Sequence, residues 1–203
     1  MPQSDSPQPE QDTEEQDTVQ EDTDLIRVIE ADHRAFESAF QQLEASADEP
    51  VGRKALVDHV IAELVRHSVV QEQFVHPVIR RRFDDGEAVV ERELAAYAEA
   101  EEVMKALDAL GPADFDFEPL LERLIAGVRS HSAEEEAGLL PRLAAACDAE
   151  ELQDLGFKVR AAKSYAPTRP HPHAPDSTPA NLVIGPGVGL VDHIRDALGN
   201  RDV

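Results

Sequence analysis

The sequence predicts an all-α protein: an antiparallel up-down four-helix bundle with an internal pseudo-two-fold repeat, then a short C-terminal helix and an extended tail. Three observations predict it. Ala, Leu, Val and Glu abound while aromatics make up 4% of the chain and Trp is absent, a composition that favours helix over sheet. Apolar residues recur with a helical period from Thr23 to Cys147. That same region also repeats itself at a fixed offset of 64 residues.

The elements follow in order. Residues 1–22 form an acidic leader; through Asp24 the start of the chain carries nine acids, three prolines and no Lys or Arg. Such a segment buries too little apolar surface to offset its chain entropy, so it is expected to be disordered. Residues 23–147 make the bundle. The first helix opens with Thr23 as N-cap, carries Leu25, Ile26, Val28, Ile29, Phe36, Phe40 and Leu43, and stops near Pro50. A second runs from about Gly52 to Arg82 and is broken at Asp84-Asp85-Gly86. The third spans roughly Glu87 to Leu110 and ends at Gly111-Pro112; the fourth starts around Asp114–Asp116 and reaches Cys147. Short connections make neighbours antiparallel. Residues 148–165 are expected to hold a short fifth helix. Residues 166–203, with six of the fourteen prolines, are expected to form an extended tail.

Charge and cysteine content exclude several classes. Lys and Arg total 19 against 42 Asp and Glu, a net charge of −23. Phosphate backbones and anionic lipid repel such a chain, so neither nucleic acid nor membrane is expected as a partner. No run of about 18 apolar residues exists, and the N-terminus lacks the basic start and apolar core of a secretory signal. The expected location is therefore cytoplasmic. A single cysteine, Cys147, excludes an internal disulfide framework and a CxxC site. Neither a nucleophile elbow nor a phosphate-binding glycine loop opening a long helix is present.

The repeat carries the functional reading. Leu56–Ala62 overlies Leu120–Ala126, His67-Ser68 overlies His131-Ser132, and Glu72 and Pro77 overlie Glu136 and Pro141. His33 and Glu37 fall over Tyr97 and Glu101. A four-residue step puts two side chains on one helix face, one turn apart. Each helix has such a pair: His33/Glu37, His67/Gln71, Tyr97/Glu101 and His131/Glu135. Their distances from the turns set them at matching levels, apart from a mismatch at the middle turn, part of which a kink at Pro77 would absorb. Imidazoles and carboxylates converging from four helices are the donors a pair of first-row transition ions takes. His59, His171, His173, Glu72, Glu134 and Glu136 are expected to face water, His76 to pack or face water, and Cys147 to be a small buried residue.

The segments Glu30-Ala31-Asp32-His33-Arg34, His67 to Pro77, and His131-Ser132-Ala133-Glu134-Glu135-Glu136 to Pro141 resemble the hemerythrin-like (HHE cation-binding) family. The tail, Pro167 to Pro172 with Gly189–Asp192, looks like that of a bacterial subgroup. The resemblance implies a non-haem di-iron centre whose metal ligands are His33, His67, Glu101, His131 and Glu135, with Glu37, Gln71 and Tyr97 as further candidates. Its partner would be a small molecule: O₂, peroxide or nitric oxide, bound, sensed or reduced inside the bundle. Two positions depart from the family pattern. Gln71 stands where the second helix would carry Glu, and Tyr97 where the third would carry His. They fit a degenerated site, and so a metal-free or weakly metal-binding scaffold for protein–protein interaction. They also allow a retuned site in which a Tyr97 phenolate replaces the lost carboxylate charge, although a packed, protonated Tyr97 is the expected state.

Overall fold

The structure is a computed structural model that describes residues 24–46, 50–166 and 168. The acidic leader and nearly all of the proline-rich tail lie outside the described residues. We number the helices α1 (Leu25–Ala45), α2 (Pro50–Val70), α3 (His76–Arg82), α4 (Gly86–Asp108), α5 (Phe117–Glu134), α6 (Leu140–Ala146) and α7 (Ala149–Lys163). Helices α2 and α3 are one rod joined by a π turn, Gln71–Val75, and α5 and α6 are another joined at Glu135–Leu139. With α1 and α4 these two rods make the four-helix bundle, and α7 is the fifth helix. Among the described residues no helix is long and apolar enough to cross a membrane.

Capping differs slightly from the sequence expectation. Asp24, not Thr23, caps α1: its backbone is extended and its side chain accepts from the Arg27 N–H at 3.0 Å. Asp148 caps α7 in the same way, accepting from Glu151 N–H at 2.8 Å. Between α3 and α4 the chain reverses over three residues, and Gly86 is required there. A Cβ at that position would lie 2.5 Å from the Ile79 carbonyl oxygen.

The two π turns start 64 residues apart, at Gln71 and Glu135, so the repeat seen in the sequence is also a repeat of backbone geometry. Each is followed by a proline, Pro77 or Pro141. Proline has no N–H to donate, and its ring would collide with the carbonyl four residues back. One extra residue in the turn resolves both problems: His76 N–H donates to Gln71 O, and Leu140 N–H to Glu135 O, in i→i−5 bonds. The distortion expected at Pro77 is therefore a widened turn, and its counterpart at Pro141 matches it.

The core comes in two apolar clusters. One gathers Leu25, Ile29, Val75, Ile79, Val90, Leu140 and Leu143 with Leu152, Leu155 and Val159 of α7. The other gathers Phe36, Phe40, Leu43, Val57, Ile61, Leu107, Phe117 and Leu121. Fully burying one such side chain contributes about 1.5–3 kcal/mol. On every rod the gap between the clusters falls at the same level, between residues 29 and 36, 65 and 70, 90 and 103, and 128 and 139. A polar layer occupies that gap.

Candidate metal centre

The helical period that builds the core also aims the polar layer inward. His33 lies four residues after Ile29 and three before Phe36, both buried, and so continues the apolar stripe of α1. His67 follows Leu64 by three residues, Glu93 follows Val90 by three, and His131 follows Val128 by three. Gln71 and Glu135 open the two π turns and are each 1% exposed.

Two groups of donors result: His33, His67 and Glu135, and Glu93, His131 and Glu135, with the donor atoms of each group within 4.8 Å of one another. Glu135 belongs to both. Its Oε2 is 3.0 Å from His33 Nε2, 3.9 Å from His67 Nε2 and 3.6 Å from His131 Nε2, while Glu93 Oε2 is 3.4 Å from His131 Nε2. Ligand atoms bound about 2.1 Å from one ion lie roughly 3.0–3.5 Å from each other. The donor set is also left short of partners. Glu135 Oε1, Glu93 Oε2, His131 Nε2, Tyr97 Oη, His76 Nε2 and Gln71 Oε1 are buried without a hydrogen bond, a costly arrangement unless something else binds there. A cation pair fits these residues on both counts.

The histidines are oriented from behind. His33 Nδ1–H donates to Glu136 Oε1 at 2.8 Å, and His67 Nδ1–H donates to Asp32 Oδ2 at 2.9 Å. A carboxylate on Nδ1 leaves Nε2 to face the centre, as metal-binding imidazoles require. Lys163 at the end of α7 donates to the other oxygen of Asp32 at 2.6 Å. Gln71 lies 2.7 Å from His67 Nε2 through its amide, whose oxygen and nitrogen exchange places on a half-turn.

Protonation follows from burial and neighbours. Burial would lower the pKa of His67, but the hydrogen bond to Asp32 and the charges of Asp32 and Glu135 carry it to about 9. Burial would raise Glu135, yet the hydrogen bond from His33 and the nearby charge of His67 hold it well below the carboxylate range. Glu93 has no such donors, and burial with the Glu135 charge lifts it to about 7. Burial and the same carboxylates push Tyr97 well above an ordinary phenol, so without a cation it is a neutral phenol and not a phenolate. Burial and the Arg80 charge lower His76 to about 4. Without a metal, the carboxylates hold a proton on His67; metal binding to such donors releases protons.

Residues 24–143 match the hemerythrin HHE cation-binding domain. The chain belongs to the hemerythrin family. An uncharacterized hemerythrin-like protein of Schizosaccharomyces pombe is 26% identical over 168 residues, covering 82% of each chain. No solved structure matches the sequence.

Of the candidates drawn from the hemerythrin resemblance, the structure brings His33, His67, His131 and Glu135 together, with Gln71 at their edge. Tyr97 is beside them: its ring meets His131 edge-on at 5.3 Å and stacks on His76 at 5.8 Å. Glu101 falls outside both donor groups. Glu37 points away and pairs with Arg129 at 2.8 Å, its side chain 43% exposed. Glu93 is not among the sequence candidates: it lies one turn back from Tyr97, whereas the candidate Glu101 lies one turn forward. The signal was present in Glu93's place on the stripe of Val89 and Val90. His76 packs in the interior, and Glu136, expected to face water only, holds His33.

Proposed function

We propose that this hemerythrin-family chain holds a pair of iron ions at His33, His67, Glu93, His131 and Glu135. There it binds, senses or reduces a small oxidant or diatomic ligand, with O₂, peroxide and nitric oxide as the class. The carrying observation is the pair of donor groups, one buried and one half-buried, that share Glu135. The first is a two-His-one-carboxylate set, the donor type of non-haem Fe(II) sites with open positions; the second is one His with two carboxylates. Glu93 supplies the anionic group that Gln71 lacks, so the Gln at position 71 is compatible with a retained site.

Iron supplies redox and Lewis-acid chemistry toward a small ligand when it is bound there. The chain's own residues do the rest. Asp32 and Glu136 hold the imidazoles with Nε2 inward. Glu135, kept ionised, lies between the two groups. The apolar clusters above and below the layer exclude bulk water, which strengthens every polar interaction inside. Tyr97 Oη and His76 Nε2, buried and without partners, are the hydrogen-bonding groups free to meet a small ligand.

Metal analysis of protein reconstituted anaerobically with Fe(II) tests the reading. Wild type is expected to retain about two irons per chain. Glu93→Gln should lose about one of them, His67→Ala should lose iron sharply, and Glu101→Gln should change nothing. Wild type that retains no iron would leave the bundle as a metal-free scaffold. A loss in Glu101→Gln but not in Glu93→Gln would move the centre along α4.

A further inference from the structure

We propose that Lys163, the last residue of α7, is a positioning residue of the metal centre. It fixes Asp32, and Asp32 fixes His67. The inference rests on the metal-site reading above.

The two oxygens of Asp32 are divided between two partners. Oδ2 accepts from His67 Nδ1–H at 2.9 Å and Oδ1 accepts from Lys163 Nζ at 2.6 Å. A carboxylate held at one oxygen can pivot about that bond, whereas one held at both cannot turn without breaking a contact. Lys163 therefore sets the plane from which Asp32 meets the imidazole, and so the direction of His67 Nε2. The contact is sheltered: the side chains of Lys163 and Asp32 are 19% and 14% exposed. A freely solvated ion pair would be worth little. The other oriented imidazole is supported differently. Its partner, Glu136, sits beside Glu135 on the same rod and is 47% exposed.

Helix α7 is built to carry this load. Leu152, Leu155 and Val159 anchor it in the first apolar cluster, packed mainly on α1. Glu151 takes Arg81 and Arg82, at 2.5 Å each, at the far end of α3. Three residues past Lys163 the chain is buried again, with Ala166 5% exposed. Yet α7 lies wholly outside the residues matched to the hemerythrin domain, 24–143. The metal site thus reaches one helix past the four that carry its ligands.

The test uses the full chain, stripped of metal and titrated anaerobically with Fe(II) alone against a competing chelator. Removing a partner of this kind typically weakens metal binding 10- to 100-fold. Asp32→Asn is expected in that range and Lys163→Met at about 10-fold. Lys163→Arg, which keeps the charged donor, should restore affinity to within about 3-fold of wild type. Because Lys163 acts through Asp32, the double variant should bind no worse than Asp32→Asn alone. Unchanged affinity in Lys163→Met overturns the proposal, and so do losses that add in the double variant. A purely structural role would lower the melting temperature of the metal-free protein while leaving Fe(II) affinity and the arginine rescue flat. Wild type that binds no Fe(II) sinks the metal reading itself; wild type that binds while Lys163→Met binds equally sinks only the positioning role.

Discussion

Tyr97 and His76 stack on each other at the edge of the polar layer, each with a buried polar atom left without a partner. Two predictions belong to them. A buried hydroxyl without a hydrogen bond costs about 1–3 kcal/mol. Tyr97→Phe should therefore stabilise the metal-free protein by about 1 kcal/mol in urea melts; a loss of stability instead would mean that the hydroxyl is satisfied in solution. His76, brought to about 4 by burial and the charge of Arg80, is a base held neutral. Its unfolded value is 6.5, so between pH 6.5 and 4 the unfolded chain binds the extra proton. The contribution is full above pH 6.5, is lost as pH falls toward 4, and is flat below that. The lost stability amounts to about 3 kcal/mol. Comparing the metal-free wild type with His76→Phe across that range cancels the other titrating groups. A difference that stays constant with pH would show that His76 is solvated.

At the level of elements, the four helices and their order are legible in the sequence because apolar residues recur at helical spacing on each of them, on both sides of the polar layer. The offset of 64 residues is legible too, and it carries through to the π turns at Gln71–Val75 and Glu135–Leu139. The turns themselves are not: a proline marks where a helix must yield, but whether it kinks or gains a residue depends on how the rods pack. His33, His67, His131 and Glu135 stand out by type and spacing. Asp32, Glu136 and Lys163 do not, since their role lies in contacts across 35, 103 and 131 residues of sequence. The glycines supply an element-scale check. Gly127 sits in α5 with nothing within 4 Å of where a Cβ would stand, whereas a Cβ at Gly86 would meet Ile79 O at 2.5 Å and Arg80 Cα at 2.8 Å. Gly127→Ala should raise stability by about 0.5–1 kcal/mol. Gly86→Ala should lower it by about 1–3 kcal/mol, because backbone must shift to admit the methyl. Chemical melts of the two variants read both signs directly, and equal effects would discard the close approach between α3 and α4.

Across the whole molecule, the polar layer separates one apolar cluster from the other, and the same layer concentrates carboxylates in a chain of net charge −23. The metal-free bundle is thus weakest at its waist. A cation that binds only the native state stabilises it by about 2.7 kcal/mol at a hundredfold excess over its Kd. For a protein of this size that is a rise of roughly 5–11 °C in melting temperature. Simple screening of the acidic surface would also stabilise, so the comparison must separate charge from coordination. Mg²⁺ prefers all-oxygen octahedral surroundings and does not take imidazole readily, yet it screens as well as Fe(II). Anaerobic Fe(II) should therefore produce the full shift at concentrations where Mg²⁺ produces little. Amide exchange at 71–75 and 135–139 should slow under Fe(II) more than exchange in the outer turns of α1 and α4, since those residues frame the donors. Equal shifts from the two cations would mean that the bundle responds to ionic strength alone, and the shared Glu135 would then be a buried carboxylate paired only with histidine.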